Sequence, residues 1–277
     1  MNFKMIKDDW EALASRDALW SILTDSSRAN GGWDLSEFMA TGEREIQTVL
    51  NHLEEIAHSP NYGGAALDFG CGVGRLTQAL VRRFSHCVGL DISQRMIDKA
   101  ETYNQYKHCS YLLHDGQELP FEEDCFSFIY SNIVLQHLPA DLALQSIQEL
   151  VRVLAVDGVL VFGVQDRFAA PDLSARLTLL RNKLRLRSRV QNAMGLKPHH
   201  MQMHCLPERV VREALGGAII ADVQLTNTAA TNYNGNLSYL REAPIVGYVG
   251  KQYCVRKRDR SLVNKKFDKS SEGKQIA

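Results

Sequence analysis

The sequence of 277 residues lacks net charge, long apolar runs and closely spaced cysteine pairs. Its 32 basic and 32 acidic side chains cancel, so the overall charge indicates no class of partner. No stretch approaches the roughly 20 apolar residues of a membrane span, and the first residues lack the apolar core of a signal peptide. The six cysteines form no C-x-x-C motif, which is typical of reduced thiols. We therefore expect a soluble, cytoplasmic protein without a membrane span.

Helical and strand patterns divide the chain into five regions. Residues 1–60 predict helices, and all three tryptophans lie among them. Between 61 and 166, strands alternate regularly with helices, which predicts parallel strands joined by right-handed crossovers. Residues 167–205 are rich in arginine and lysine and predict a basic helical insertion. Residues 206–256 return to the sheet, and the polar tail 257–277 predicts disorder.

The run from Ala65 to Arg75, AALDFGCGVGR, is the most informative part of the chain. An apolar strand ends at Asp68, and three glycines follow at alternate positions: Gly70, Gly72 and Gly74. Glycine allows a sharp turn and lets a ligand approach the backbone without meeting a Cβ atom. The turn leads into a helix, whose free N–H groups favour a carboxylate or phosphate. The run predicts a ligand-binding loop.

Further strands end in polar residues behind this loop. Asp91 lies 21 positions after Gly70, the spacing at which a carboxylate binds ribose hydroxyls. Asp115 and Gly116 end a third strand and suit an exocyclic amine and its neighbouring ring nitrogen. Asn132 ends a fourth. Because the carboxyl ends of parallel strands meet at one edge of a sheet, these residues predict a single binding site.

Together these motifs resemble the class I S-adenosylmethionine-dependent methyltransferases, in particular those with small-molecule and natural-product acceptors. The resemblance is strong over residues 38–166 and loose over 205–256. It implies an α/β fold: a Rossmann-like, doubly wound, mainly parallel seven-stranded sheet with an N-terminal helical lid and a helical cap insertion after strand 5. It also implies S-adenosylmethionine as cofactor and S-adenosylhomocysteine as product. The glycines read G-x-G-x-G, which argues against the G-x-G-x-x-G of a nicotinamide enzyme.

The resemblance also implies roles for residues along the site. The glycines approach the methionine and ribose portions, and Asp68 orders the loop or meets the amino group. Asp91 binds the ribose hydroxyls, and Asn132, through its backbone, lies with Gln136 along the methionine end. The predicted cofactor-binding set is Asp68, Gly70, Cys71, Gly72, Gly74, Arg75, Asp91, Ile92, Met96, Asp115, Gly116, Gln117, Asn132 and Gln136.

His137 is the candidate general base, because it follows the fourth strand and imidazole titrates near neutral pH. The alternative is a structural histidine that caps the next helix or bonds a carbonyl. Several small-molecule relatives carry another histidine just before it, where this chain has Gln136. The group His199, His200 and His204 has no fixed acidic partner, so we predict no metal site.

The acceptor is predicted less sharply. Eight cations against one acid between 167 and 205 favour an anionic small molecule bearing carboxylate or phosphate, although a solvated charged face explains them equally well. We do not expect nucleic acid as the acceptor, because the sequence lacks the loop motifs of base-methylating enzymes and the motifs of RNA-binding modules. We expect methylation of an oxygen or nitrogen of a small metabolite. The alternatives are a methyltransferase for RNA or protein that docks through the basic cap and tail, and a non-catalytic scaffold; the oligomeric state stays open.

Overall fold

The computed structural model describes residues 3–114, 116, 118–170, 201–230 and 232–258. None of the helices in these ranges is long and apolar enough to cross a membrane. The described α-helices are α1 Phe3–Ile22, α2 Leu35–Glu55, α3 Arg75–Leu80, α4 Gln94–Tyr103, α5 Ala140–Val153 and α6 Glu208–Ala214. The described strands are β1 Ala65–Phe69, β2 His86–Asp91, β3 Cys109–Leu113, β4 Phe126–Ser131, β5 Leu154–Ala169, β6 Ile219–Thr226, β7 Tyr239–Leu240 and β8 Gly247–Arg256.

All of these strands belong to one sheet in the order β3-β2-β1-β4-β5-β8-β6-β7. The first five are parallel, and β8 lies antiparallel between β5 and β6. The chain proceeds outward from β1 to β3 and then restarts at β4 on the other side of β1. This reversal creates a crevice at the carboxyl ends of β1 and β4, where doubly wound sheets bind ligands. The predicted doubly wound α/β fold is confirmed.

The sheet differs from the sequence prediction in two details. It has eight strands rather than seven, because Tyr239 and Leu240 pair with the end of β6 as a two-residue edge strand. Strand β5 continues to Ala169, where it pairs with Gly247 of β8, so the predicted cap region begins as strand. The predicted basic helix in 171–200 and the predicted tail in 259–277 lie outside the described residues.

Helices cover both faces of the sheet. On one face, α2 and α3 bury Ile46, Leu53 and Leu80 against Phe128 of β4. On the other, α5 and α6 pack their apolar stripes against the remaining strands. Helix α2 begins where the Asp34 carboxylate accepts a hydrogen bond from the N–H of Glu37, as a helix N-cap does. The result is a three-layer arrangement with the crevice open at one edge of the sheet.

Helix α1 lies across that edge instead of on a sheet face. Its Ala14 and Ala18 pack with Phe38 of α2 and Met96 of α4. The Glu11 carboxylate accepts a hydrogen bond of 2.6 Å from the backbone N–H of Gln94, at the start of α4. Helix α1 is therefore held against the sheet domain both by apolar packing and by the hydrogen bond of Glu11 that caps α4.

A buried ion pair joins α2 to α3. The guanidinium of Arg75 lies 2.8 Å from the carboxylate of Glu45, and both side chains are almost fully buried. Tyr130, Asn132 and Tyr233 donate further hydrogen bonds to the two oxygens of Glu45, at 2.9, 2.7 and 3.1 Å. Burial opposes the charge of Arg75, yet Glu45 beside it raises its pKa overall. One carboxylate thus links α2, α3, β4 and the loop before β7.

Glycine makes this pair possible. Gly42 lies one helical turn before Glu45, and a Cβ atom there would clash with the backbone of Arg75. The bare backbone lets α2 approach α3 closely enough for Glu45 to reach the guanidinium.

We predict that Glu45→Gln lowers the free energy of unfolding by about 3–5 kcal/mol, because it leaves a buried guanidinium without its counter-charge. Urea denaturation followed by circular dichroism measures the change. The control is Glu43→Gln, which removes a more exposed pair with Arg82 and should cost at most about 1 kcal/mol. Equal losses in the two variants would contradict the role given to Glu45.

Candidate active site

A cavity of about 340 Å³ occupies the crevice at the carboxyl ends of β1, β2 and β4. Phe69, Asp91 and Asn132 line it from the ends or just beyond these three strands. Phe3, Trp10 and other residues of α1 form its cover. The ends of these three strands therefore border one cavity, which is partly open to solvent.

The glycine loop forms the floor of the cavity. The N–H groups of Gly70 and Cys71 both donate to the carbonyl of Leu90, at 2.7 and 2.9 Å, which fastens the loop to β2. Gly70 has φ of +81°, a conformation that side chains disfavour, and a Cβ atom there would collide with Val134. Gly70, Cys71, Gly72 and Arg75 all line the cavity. Burial raises the pKa of the Cys71 thiol, so this cysteine is not an activated nucleophile.

Asp68 and Gly74, also in the predicted set, lie behind the loop and do not line the cavity. Asp68 is fully buried and accepts a 2.6 Å hydrogen bond from the hydroxyl of Thr77 on α3. Burial raises its pKa to about 7. Gly74 caps α3 with φ of +82° against Tyr111. Both residues support the shape of the loop, which is the first of the two roles predicted for Asp68.

Asp91 is the charged residue that joins the loop to β2. One carboxylate oxygen accepts from the N–H of Gly72 at 2.8 Å, and the other from the N–H of Ser93 at 2.9 Å. Burial raises its pKa, and the backbone N–H groups of Ser93, Gly72 and Ile92 oppose the rise. Each oxygen retains acceptor capacity toward the cavity, which fits a pair of ribose hydroxyls.

Apolar side chains line the cavity beside β2 and α4. Ile92 and Met96 line it, as does Gly116, where a Cβ atom would strike the ring of Phe3 from α1. Asp115 and Gln117 lie outside the described residues, two and four positions beyond the end of β3. Flat apolar surroundings beside a small-residue turn fit an adenine ring.

The segment after β4 forms the opposite wall. Asn132 and Gln136 both line the cavity, and both already have protein partners. The side-chain amide of Asn132 donates to Glu45. The side-chain oxygen of Gln136, Oε1, accepts from the side-chain amide of Gln165 at 2.7 Å. Between them, Ile133 has φ of +61°, which is strained for a β-branched residue. Such strain is concentrated at functional sites, and it has no signature in the sequence.

His137 lines the cavity but is held from behind. Its Nδ1 lies 2.7 Å from the carbonyl oxygen of Gln202, so Nδ1 carries the proton and donates. Its Nε2 lies 3.4 Å from the amide nitrogen of Gln136, and Trp10 packs edge-on at 5.3 Å. Burial lowers its pKa to about 4. This geometry describes a neutral imidazole that anchors Gln202, and the role of general base stays a prediction.

Two groups of site residues escaped the sequence prediction. Glu45 falls within the apolar stripe of α2, and a lone acid at such a position was a usable signal for a buried partner. Met201, Met203 and Tyr248 line the cavity from elements that follow the undescribed segment. No local pattern marks those three. Within the described ranges, no cluster of three or more His, Cys, Asp or Glu could hold a metal ion, and His199 and His200 lie outside them.

Comparison with known families identifies a domain in the middle of the chain. A family model described as "Methyltransferase domain" matches residues 67–162. Phosphoethanolamine N-methyltransferase of Triticum aestivum is 30% identical over 107 residues, which cover 37% of this chain and 21% of the relative. Malonyl-[acyl-carrier protein] O-methyltransferase of Salmonella typhimurium is 32% identical over 109 residues, covering 39% of this chain and 42% of the relative. The chain thus spans less than half the length of these relatives.

Solved structures share the whole fold at low identity. Magnesium protoporphyrin IX methyltransferase from Synechocystis, with bound S-adenosylhomocysteine, superposes with a TM-score of 0.55 and 19% identity, covering 92% of this chain and all of that one. A SAM-dependent methyltransferase from Anabaena variabilis gives 0.54 and 16% identity, covering 93% and 96%. At this identity the likeness concerns the fold alone.

We predict that Asp91→Asn weakens binding of S-adenosylhomocysteine at least tenfold. Hydrogen bonds to a charged acceptor contribute about 1.5–3 kcal/mol, and each 1.4 kcal/mol corresponds to a factor of ten. Isothermal titration calorimetry measures the affinity. Asp98→Asn, whose side chain bonds Gln94 on the exposed face of α4, is the control and should bind normally. Unchanged affinity in Asp91→Asn would refute the ribose role.

We predict that His137→Gln flattens the loss of stability below neutral pH. The folded-state pKa, about 4, lies below the ordinary 6.5, so on acidification the unfolded chain binds the proton first. The stability that His137 contributes is full above 6.5 and falls as the pH approaches 4, by about 2 kcal/mol at pH 5.

Urea denaturation at pH 7.5 and pH 5 measures this difference. Asp68, with its raised pKa, has the opposite pH dependence, and comparison of variant and wild type at each pH cancels it. His108→Gln, on the surface, is the control. An identical pH dependence in wild type and His137→Gln would disprove the buried neutral imidazole.

Proposed function

The chain belongs to the class I S-adenosylmethionine-dependent methyltransferases, and on this premise we propose that it methylates an oxygen or nitrogen of a small molecule. The observation that carries the proposal is the cavity at the β1–β4 switch point, which is lined by the glycine loop and Asp91. Residues of α1, Met203 and Tyr248 line it as well. A volume of about 340 Å³ lies within the range of small-ligand sites.

Different residues of the cavity would bind different parts of S-adenosylmethionine. Asp91 would hold the ribose hydroxyls, the backbone of Gly70 and Gly72 would approach the methionine portion, and Ile92 with Met96 would contact the adenine. When bound, S-adenosylmethionine supplies a methyl group already activated by its sulfonium. What the protein must add is alignment of the acceptor atom and exclusion of water, which together account for most of the barrier reduction in such transfers.

The N-terminal helix α1 would exclude water from the cavity. Residues of α1 cover the cavity from Phe3, which contacts Gly116, to Ile22, whose Cδ1 would lie 2.6 Å from a Cβ atom at Gly72. We propose that α1 is the predicted lid, and that it opens for exchange of cofactor and product.

Proton removal is a lesser requirement. His137 is neutral and presents Nε2, its unprotonated nitrogen, as the atom that would accept a proton. A pKa of about 4 makes it a weak base, which suits an acceptor that becomes acidic only as its new bond to carbon forms. The anionic acceptor predicted from the basic insertion stays a hypothesis, because residues 171–200 lie outside the described ranges.

The test is to incubate the protein with methyl-labelled S-adenosylmethionine and a fractionated cell extract, then to trace the label. We expect label in a low-mass fraction, from which mass spectrometry identifies the acceptor and its methylated atom. Label transfer should fall with Asp91→Asn and persist with Asp98→Asn. Label in RNA or protein would overturn the small-molecule proposal in favour of macromolecular methylation, and no transfer from any extract would favour a non-catalytic scaffold.

A further inference from the structure

Part of the cavity lining comes from residues to which the proposed function gives no part in binding the cofactor. Residues of the glycine loop, β2 and α4 would bind the cofactor. Six of the others, here called the acceptor half, come from α1, the described end of the basic insertion, the loop after β6, and β8: Trp10, Met201, Met203, Ala229, Ala230 and Tyr248.

Several polar groups near the acceptor half make hydrogen bonds within the protein itself. The hydroxyl of Thr228 bonds that of Thr226 at 2.8 Å, and the hydroxyl of Ser21 donates to the carbonyl of Ala18 at 2.8 Å. Tyr233 donates to Glu45 at 3.1 Å. These side chains border the cavity, yet their hydrogen bonds are made with the protein. They add little recognition of a charged ligand.

No unpaired cation lines the described part of the cavity. Arg75 is the one arginine or lysine in that lining, and its guanidinium is held by Glu45 at 2.8 Å and by Thr41 at 3.2 Å. An anionic group buried there would lose its hydration without gaining a counter-charge. The described lining therefore disfavours a carboxylate or phosphate at the buried end of the acceptor.

The two methionines are fixed in this wall by their backbone. His137 donates to the carbonyl of Gln202, and the N–H of His204 donates to the carbonyl of Gln136, both at 2.7 Å. The N–H of Leu206 donates to the carbonyl of Gln165, also at 2.7 Å. Three bonds at alternate residues hold this segment against the ends of β4 and β5, while the side chains of Met201 and Met203 line the cavity.

Methionine is suited to such a wall. Its unbranched thioether is polarizable, adapts to irregular shapes and makes favourable contacts with aromatic rings. Trp10 stands edge-on to His137 at the same wall, and Tyr248 packs edge-on against Phe168 at 5.0 Å. Aromatic and thioether surfaces surround the space.

We infer that the acceptor inserts an uncharged, apolar ring system or similar flat hydrocarbon between Trp10, Met201 and Met203, and that the two methionines select for it. The inference rests on the proposed methyltransferase function. It narrows the acceptor to molecules whose methylated oxygen or nitrogen is attached to, or lies beside, an apolar body. Any charged group of the acceptor must then lie toward the mouth of the cavity.

The test uses two isosteric probes, 6-hydroxy-2-naphthamide, which is uncharged, and 6-hydroxy-2-naphthoate, which carries a carboxylate. Binding of each to the full chain is measured by calorimetry at pH 7.5 with S-adenosylhomocysteine present in excess. We expect the amide to bind at least tenfold more tightly than the carboxylate. Met203→Lys, which places an ammonium group in the wall, should reduce this ratio at least fivefold.

Two controls separate the outcomes. Met5→Lys adds the same charge at a half-exposed position of α1 outside the cavity lining and should leave the ratio unchanged. Normal affinity for S-adenosylhomocysteine shows that Met203→Lys is folded. Tighter or equal binding of the carboxylate in the wild type, or no binding of either probe, would overturn the inference while leaving the proposed function intact. Failure of the wild type to bind S-adenosylhomocysteine would instead overturn the proposed function.

Discussion

The buried ion pair between Glu45 and Arg75 is the interaction on which the arrangement of this protein depends. Its two charges come from helices α2 and α3, and Tyr130, Asn132 and Tyr233 complete the hydrogen bonding of the carboxylate. A buried charge without its partner is strongly destabilising, so each of these elements favours the correct placement of the others. Three of the five residues, Arg75, Asn132 and Tyr233, also line the cavity. The same interaction that stabilises the fold therefore sets the shape of the site.

Most of the polar groups in and behind the cavity wall already make hydrogen bonds within the protein. Asp68 bonds Thr77, Gln136 bonds Gln165, and His137 bonds Gln202. Asp91 differs from these residues, since its carboxylate accepts from backbone N–H groups, among them those of Gly72 and Ser93, and retains acceptor capacity. The cavity thus offers strong hydrogen bonding at one position and apolar contact over most of the remaining wall. This division suits a reaction in which binding and alignment matter more than acid–base chemistry.

The features of the fold that depend on local sequence patterns could be predicted, and those that depend on tertiary contacts could not. The alternation of apolar strands and helices, the glycine loop and the acids at strand ends are local patterns, and they led to the doubly wound sheet and to the placement of Asp91. The two-residue strand β7 could not be foreseen, because so short a segment becomes a strand only where β6 offers an unpaired edge. The left-handed backbone of Ile133 was equally invisible, since isoleucine avoids that conformation unless its surroundings impose it.

The sequence by itself determined the class of fold, the position of the glycine loop and the carboxylate beside it, because these depend on local patterns and their spacing. Only the tertiary structure decided that Asp68 and Gly74 support the loop from behind, that Arg75 is neutralised by Glu45, and that Met201 and Met203 face the site. Those properties depend on side-chain packing and not on separation along the chain: Asp68 meets Thr77 nine positions away and Arg75 meets Glu45 thirty positions away, whereas Tyr233 reaches Glu45 across 188 positions. The spacing of residues along the chain does not tell which buried side chains will form a pair. The packing of the helices against the sheet decides which side chains meet.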